Sequence, residues 1–294
     1  MRRILIIGKN GQVGWELERT LSPLGHITAI DQQEMDLANP DSISGVTREI
    51  RPDLIVNAAA YTAVDKAEAE ADLAMQVNGI APGILAQEAK ALGAAIVHYS
   101  TDYVFDGTKN GPYLENDIPC PLSVYGRTKL AGEDAVRNSG AAHLIFRTSW
   151  VYGVRGHNFL HTILRLARER NELRIVDDQI GAPTWSRMIA EVTAQILAQC
   201  FSPASSSGLA DVGGIYNLTS SGQTSWHGFA KAILDASLLE RKPELIPIPT
   251  ESYPLPAPRP KNSALSHEKL ESTFGIMPPS WDACLSMCMR DLSR

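Results

Sequence analysis

The stretch RILIIGKNGQVG, residues 3–14, decides the fold class of this 294-residue chain. Its aliphatic first half suits a short strand that is buried on both faces. Gly8, Gly11 and Gly14 follow, and a helical stretch continues from about Trp15. Glycines let backbone N–H groups approach phosphate oxygens, and a helix N-terminus favours negative charge. The stretch therefore predicts a dinucleotide site, and a tight turn without a ligand is the alternative.

An acidic residue follows the next predicted strand. Residues 26–30 have the pattern of a strand, and Asp31 comes directly after it, about twenty residues beyond Gly11. A carboxylate at this place is typical of a contact to the adenosine ribose. It favours NADH over NADPH because it would repel a 2′-phosphate, and residues 32–34 supply no compensating cation. A simple turn residue is the alternative interpretation of Asp31.

A second chemical feature is Tyr125, with Lys129 four residues further on. On a helix this spacing puts two side chains on one face. We therefore expect the Lys129 ammonium to lie beside the phenol and to lower its pKa, which would make Tyr125 a proton donor near neutral pH. Thr101, at the end of the strand predicted at 94–99, would add a hydroxyl for a carbonyl oxygen. The alternative is an ordinary helical pair with a packed ring and a solvated amine.

Predicted strands and helices alternate up to about residue 150, which favours an α/β fold with a doubly wound, parallel, Rossmann-type sheet. Ligands bind such sheets at the C-terminal ends of the strands. The candidate residues that fall at these ends are Gly8, Asp31, Thr62, Thr101 and Trp150. These positions were identified independently and fall at the same edge of the predicted sheet, which strengthens the hypothesis of a catalytic site.

The second half of the chain has a different pattern. We predict a dinucleotide-binding domain over residues 1–150, which a strand near 215–218 rejoins, and a smaller, interleaved α/β substrate-binding domain over residues 151–294. Residues 202–214 are rich in Ser, Pro, Ala and Gly and predict a surface connection. The prolines between residues 243 and 260 exclude an α-helix there. Among them, Arg259 is held between two prolines and is a candidate contact for an anionic substrate group.

Composition argues against several classes of protein. The net charge of −6 gives no basic excess for a nucleic acid or an anionic membrane surface. No stretch approaches the ~18 apolar residues of a membrane span, and the first apolar run is too short for a signal peptide. We therefore expect a cytoplasmic protein. Four cysteines do not form a disulfide framework, and Cys284 and Cys288 lack further ligands for zinc, so we predict no metal site.

Several motifs together resemble those of the extended short-chain dehydrogenase/reductases. They are Gly-x-x-Gly-x-x-Gly at 8–14, YSTDYVFDG at 99–107 and Tyr-x-x-x-Lys at 125–129. The stretches that extend the resemblance over the whole chain, toward the members that reduce dTDP-linked keto sugars, are NAAAYTAVDKAE at 57–68, FRTSWVY at 146–152, DQIGAPT at 178–184 and RPKNSAL at 259–265.

The resemblance implies reduction of the C4 ketone of dTDP-4-dehydro-β-L-rhamnose to dTDP-L-rhamnose, with NADPH or NADH as the cofactor. Tyr125 would protonate the sugar oxygen, Lys129 would bind the nicotinamide ribose, and Thr101 would position the carbonyl. The implied cofactor contacts are Gly11, Gln12, Val13, Asp31, Asp36, Leu37, Ala60, Tyr61 and Thr62. The implied sugar contacts are Thr101, Asp102 and Trp150.

The resemblance also implies a homodimer, and in some members Mg²⁺ is held by glutamates at the dimer interface. Glu16 matches this pattern, but Arg187 stands where a second carboxylate is expected. A cation there opposes metal binding, so we expect a homodimer without Mg²⁺. Two alternatives stay open. The chain could be a non-catalytic NAD(P)-binding regulatory subunit of the same fold, or another nucleotide-sugar ketoreductase or epimerase.

Overall fold

The structure, a computed structural model, describes residues 1–202 and 208–292. Its strands are Arg2–Ile7 (β1), Gly25–Ile30 (β2), Leu54–Asn57 (β3), Ala95–Thr101 (β4), Ala142–Thr148 (β5), Val151–Tyr152 (β6), Glu172–Val176 (β7), Ile180–Gly181 (β8), Thr184–Trp185 (β9), Gly214–Asn217 (β10), Thr224–Ser225 (β11) and Glu244–Ile248 (β12). Its α-helices are Gln12–Thr20 (α1), Pro40–Ile50 (α2), Val64–Ala67 (α3), Ala71–Met75 (α4), Ala81–Leu92 (α5), Val124–Ser139 (α6), Phe159–Glu169 (α7), Ser186–Phe201 (α8), Trp226–Ala236 (α9), Glu268–Phe274 (α10) and Trp281–Leu292 (α11).

Six of these strands form one parallel sheet in the order β10-β5-β4-β3-β1-β2. This arrangement confirms the predicted doubly wound α/β fold. The chain builds outward from β1 in both directions, first to β2 and then to β3. The crevice at such a switch point, beyond the carboxyl ends of the strands, is where sheets of this kind bind ligands.

The aliphatic residues of β1 show why helices cover both faces of the sheet. Ile4 and Ile6 point into a cluster that includes residues of α1 and α8, whereas Leu5 and Ile7 point into a second cluster with residues of α2 and α5. All four side chains are buried. A strand with this pattern is stable only when packed on both sides, because side chains alternate between the two faces.

The helical segment that runs from Ala71 to Leu92 is interrupted. It consists of α4, a π-helical turn at Gln76–Ile80, and α5. Pro82 has no N–H to bond the carbonyl of Asn78, which removes one α-helical hydrogen bond. A Cβ on Gly132 of α6 would lie 2.1 Å from that carbonyl oxygen, so α6 packs very closely here. The turn widens the helix where it passes the candidate site.

The second half of the chain contributes one strand to the main sheet and three small two-stranded sheets. The strand expected near 215–218 is β10, which pairs in parallel with β5. The proline-rich segment 243–260 contains β12, a strand that the sequence did not predict, and a 3₁₀ turn at Thr250–Ser252. Within the described residues β12 pairs with β7 alone, so its one proline, Pro247, interrupts no ladder on the other side.

Two further expectations concern the chain as a whole. The division into two domains at about residue 150 stays a prediction. The surface connection predicted for residues 202–214 includes residues 203–207, which lie outside the described part of the chain. Within the described ranges, no helix combines the length and the apolar character that a bilayer crossing requires.

Candidate active site

The turn between β1 and α1 is built for a close approach of backbone to a ligand. The N–H groups of Gly8 and Lys9 both donate to the Ile30 carbonyl of β2, at 2.9 and 3.1 Å. Gly8 has a φ of +92°, which side chains rarely permit. A Cβ on Gly14 would lie 2.1 Å from the Gly8 carbonyl oxygen. Both glycines are therefore required, and they leave the N-terminus of α1 facing the carboxyl edge of the sheet.

A cavity of about 950 Å³ opens at this edge. The predicted cofactor residues that line it are Gly8, Gly11, Gln12, Val13, Asp31, Asp36, Leu37, Ala60, Tyr61, Thr62, Tyr125 and Lys129. Gly14 is the one predicted cofactor residue that does not line it, because it packs beneath the turn. The size of the cavity, the glycine turn and the Asp31 carboxylate at the far end of the cavity fit a dinucleotide.

The carboxylate of Asp31 is held by its own loop. One oxygen accepts the N–H of Gln33 at 2.9 Å, and the other accepts the side-chain amide of Asn10 at 2.5 Å. Residues 32–34 supply no cation to this loop, but a residue earlier in the chain does. Lys9, from the glycine turn, lies beside this loop and is paired with Glu34.

A buried asparagine that the sequence analysis missed braces the wall formed by residues 60–62. Asn78, in the π-helical turn, accepts the N–H of Tyr61 at 2.8 Å and donates to its carbonyl at 3.0 Å. It also donates to the hydroxyl of Thr128 on α6, at 3.3 Å. Nothing in the sequence analysis pointed to this role.

Tyr125 lies in the first turn of α6, which Ser123 caps by accepting the Gly126 N–H at 3.1 Å. Its phenol lines the cavity and shares a hydrogen bond with Thr101. Tyr103 packs edge-on against its ring, with centroids 5.8 Å apart. Burial raises the pKa of Tyr125 to about 12, and the hydrogen bond with Thr101 opposes that shift. The phenol is therefore fully protonated at neutral pH.

Lys129, like Tyr125, lines the cavity from α6, but its side chain turns toward β4 and not toward the phenol. Its ammonium donates to the Tyr99 carbonyl at 2.6 Å and lies 3.5 Å from Nε2 of His98. Burial lowers the pKa of Lys129 to about 8, and the negative charge of Glu133 opposes that shift. The expected lowering of the Tyr125 pKa by Lys129 is thus wrong for this structure. Tyr125 and Lys129 start on the same face of the helix, but the flexible Lys129 side chain bends to the nearby Tyr99 carbonyl.

An Asn–His pair, also missed from the sequence, lies behind Lys129. Asn57 and His98 are register partners on β3 and β4, and the Asn57 amide donates to Nδ1 of His98 at 3.2 Å. The other end of that amide accepts the N–H of Ala59 at 3.3 Å, which fixes its orientation. Burial lowers the pKa of His98 well below its usual value, and the positive charge of Lys129 adds a smaller effect in the same direction. The ring is therefore neutral at neutral pH.

Two of the predicted sugar contacts lie directly behind Tyr125. The hydroxyl of Thr101 donates to a carboxylate oxygen of Asp102 at 3.0 Å, and both side chains are buried. Burial raises the pKa of Asp102 to about 7, and hydrogen bonds with Ser263 and Thr101 oppose that shift. Neither Thr101 nor Asp102 lines the cavity. A sugar would contact them only if it reached past the ring of Tyr125.

The third predicted sugar contact, Trp150, has an unusual backbone and an unexpected neighbour. Its φ of +46° is rare for a residue with a large side chain. Its ring stacks on Trp226 with centroids 3.6 Å apart, and a Cβ on Gly181 would lie 2.6 Å from it. Trp226 begins α9, and nothing in the sequence pointed to its pairing with Trp150.

The cation predicted to meet an anionic substrate group is already paired. Arg259 forms a two-pronged ion pair with Asp65, at 2.9 and 2.8 Å, and its side chain is largely buried. It also shares a hydrogen bond with Tyr103, whose ring packs on Tyr125. Arg259 therefore adjoins the candidate site, and its role toward the substrate stays a prediction.

The residues that the family resemblance suggested for Mg²⁺ do not fit a metal site. Arg187 occupies the position between the carboxylates, with Glu191 at 2.9 Å and Asp291 at 3.0 Å. Burial raises the pKa of Glu16, and the charge of Arg187 opposes that shift. Across the described residues, no group of three or more His, Cys, Asp or Glu side chains could hold a metal ion. The absence of bound Mg²⁺ stays a prediction.

Comparisons with known proteins agree with this geometry. The model of the RmlD substrate binding domain matches residues 1–294. A dTDP-4-dehydrorhamnose reductase from Burkholderia thailandensis is 50% identical over 296 residues, which cover 99% of each chain. The crystal structure of a dTDP-4-dehydrorhamnose reductase from Clostridium acetobutylicum has a TM-score of 0.92 at 36% identity, covering 99% of this chain and 100% of that one.

A dTDP-4-dehydrorhamnose reductase from Bacillus anthracis, solved in complex with NADP, has a TM-score of 0.91 at 35% identity and covers 99% of both chains. These similarities extend over the whole length of the chain and include both halves of the fold. This chain belongs to the family of the RmlD substrate binding domain.

Proposed function

We propose that this chain is an NAD(P)H-dependent dTDP-4-dehydrorhamnose reductase, which reduces the C4 ketone of dTDP-4-dehydro-β-L-rhamnose to dTDP-L-rhamnose. The observation that carries the proposal is that Tyr125 and Lys129 line the same cavity as the glycine turn. The names of the relatives support the substrate, and the NADP complex of one of them supports the cofactor.

The residues of this chain have distinct roles in the proposed reaction. Bound NAD(P)H supplies the hydride. The glycine turn and the N-terminus of α1 bind the pyrophosphate, and Asp31 binds the adenosine ribose. Tyr125 donates its proton to the C4 oxygen of the sugar. Its raised pKa keeps that proton in place until negative charge develops on the oxygen. The phenolate then accepts the Thr101 hydroxyl proton, which Asp102 accepts in the resting site.

The surroundings of Lys129 support a role close to this proton transfer. Its pKa of about 8 lies near neutral pH, so the fraction of the amine that is protonated responds to small changes in charge nearby. To stabilise a Tyr125 phenolate, the ammonium has to turn from the Tyr99 carbonyl toward the phenol, and the negative charge that forms there favours that move. The homodimer and the cytoplasmic location that we expect from the sequence remain predictions.

A cofactor-oxidation assay tests the proposal. The purified protein is mixed with dTDP-4-dehydro-L-rhamnose and either NADH or NADPH, and the loss of reduced nicotinamide absorbance is followed. We expect stoichiometric oxidation and formation of dTDP-L-rhamnose. A regulatory subunit would bind the dinucleotide without turnover, and an epimerase would convert the sugar without net oxidation. Either result would contradict the proposal.

A variant assigns the proton donor. Tyr125→Phe keeps the ring but loses the acid, so we expect turnover to fall about 100-fold or more with little change in dinucleotide affinity. Tyr253→Phe is the matched control, because that tyrosine is exposed and lies outside the cavity. A nearly normal rate in Tyr125→Phe would remove this residue from the mechanism.

A further inference from the structure

Lys9 is held at the ribose end of the cavity by the same backbone bonds that shape the glycine turn. Its N–H and that of Gly8 donate to the carbonyl of Ile30, the last residue of β2. Asp31, the candidate ribose ligand, is the next residue. The side chain of Lys9 thus starts beside Asp31, and only its outer part is free to move.

A single carboxylate joins this lysine to the ribose loop. Glu34 Oε2 accepts from the Lys9 ammonium at 2.6 Å and from the backbone N–H of Asp31 at 2.8 Å. The hydrogen bond to Glu34 raises the pKa of Lys9, so the amine stays charged at neutral pH. The two side chains keep solvent access, with 29% and 46% of their surfaces exposed. An ion pair this accessible contributes little to folding stability and exchanges partners easily.

The other contacts in the loop keep Asp31 in place whichever partner Lys9 has. Its two carboxylate oxygens accept from Gln33 and Asn10, and neither bond involves Lys9 or Glu34. Asp31 therefore binds the ribose hydroxyls of NADH with Lys9 remaining on Glu34. A 2′-phosphate would add roughly two negative charges beside Asp31, and an accommodating cation is then required.

We propose that Lys9 and Glu34 together determine the choice between NADH and NADPH: Lys9 pairs with Glu34 when NADH is bound, and exchanges that carboxylate for the 2′-phosphate when NADPH is bound. This inference rests on the dinucleotide site of the proposed function. Glu34 is not left without a partner by the exchange, because it still accepts the Asp31 N–H. The affinity for NADPH is then reduced by the competing carboxylate, and the affinity for NADH is not.

Direct binding measurements test the proposal without turnover. NADH and NADPH are titrated by fluorescence, and 5′-AMP and adenosine 2′,5′-bisphosphate are titrated by calorimetry as fragments that differ only in the 2′-phosphate. The variants are Lys9→Met, Lys9→Arg and Glu34→Gln. Lys90→Met is the matched control, since it removes one exposed positive charge at the end of α5, near the start of β4 and at the opposite edge of the sheet.

The expected results are opposite for the two partners. Lys9→Met lowers the NADPH-to-NADH affinity ratio about tenfold, as for the loss of one charged contact, and Lys9→Arg restores it to within about threefold. Glu34→Gln raises the ratio about threefold or more, because the amide oxygen still accepts the Asp31 N–H but no longer competes for Lys9. Lys90→Met leaves the ratio at the wild-type value.

Two results would overturn the proposal. One is an equal loss of NADH and NADPH affinity in Lys9→Met, which would make Lys9 a part of the turn and not a determinant of specificity. The other is a ratio that changes less than twofold in both Lys9→Met and Glu34→Gln. A wild-type protein that binds neither dinucleotide would instead contradict the proposed function.

Discussion

Replacing Lys129 by methionine should stabilise the free protein while it impairs catalysis. Lys129 is 2% exposed, and burial lowers its pKa from 10.5 to about 8. At neutral pH the folded protein thus carries a buried ammonium at a cost of about 3 kcal/mol, since one pKa unit corresponds to about 1.4 kcal/mol. Methionine fills a similar space without that cost, but it loses the hydrogen bond to the Tyr99 carbonyl, which is worth about 1 kcal/mol. We expect a net gain of about 2 kcal/mol at pH 7.

The pH dependence of this difference has a definite sign. Between pH 8 and 10.5 the unfolded chain keeps a proton on Lys129 that the folded protein has released. The stability contributed by this group therefore rises with pH across that window and is lost as the pH falls toward 8. Below pH 8 both states are protonated and the cost is constant. The advantage of Lys129→Met should accordingly be largest near pH 7 and disappear by about pH 10.

Urea denaturation at pH 7, 8.5 and about 10 measures the difference. Lys231→Met is the control, because that lysine is 66% exposed and its pair with Asp235 lies at the surface. We expect this control to differ from wild type by less than about 0.5 kcal/mol at each pH. A Lys129→Met protein that is less stable than wild type at pH 7, or a difference that does not vary with pH, would refute the reasoning.

Two further predictions concern buried and surface charges. Glu133 forms a buried ion pair with Arg147, at 2.9 and 2.7 Å. Glu133→Ala leaves a buried guanidinium unpaired and should lower the free energy of unfolding, measured by chemical denaturation, by about 3–5 kcal/mol. A decrease below about 1 kcal/mol would contradict this account. Because Arg187 occupies the position between carboxylates where relatives were expected to hold Mg²⁺, dialysis against a chelator should not change the oligomeric state measured by light scattering. Dissociation on chelation would show that metal holds the subunits together.

The candidate site shows where reasoning from the sequence stopped. The glycine turn, Asp31 and Thr62 could all be predicted to line one crevice, because each follows a strand and parallel strands end at the same edge of the sheet. The direction of the Lys129 side chain could not be predicted. Helical spacing gives the face on which a side chain starts, but a long side chain ends at whichever acceptor the neighbouring strand offers.

The sequence by itself determined the buried first strand, the turn with Gly8 and Gly14, and the placement of Tyr125 and Lys129 on one helix. These features depend on residues within a few positions of one another, where periodicity and glycine geometry are decisive. Only the tertiary structure decided that Asn57 meets His98 and that Trp226 stacks on Trp150. The physical reason is that such contacts depend on strand register and on the packing of elements far apart in the chain, and local residue patterns do not specify either of these.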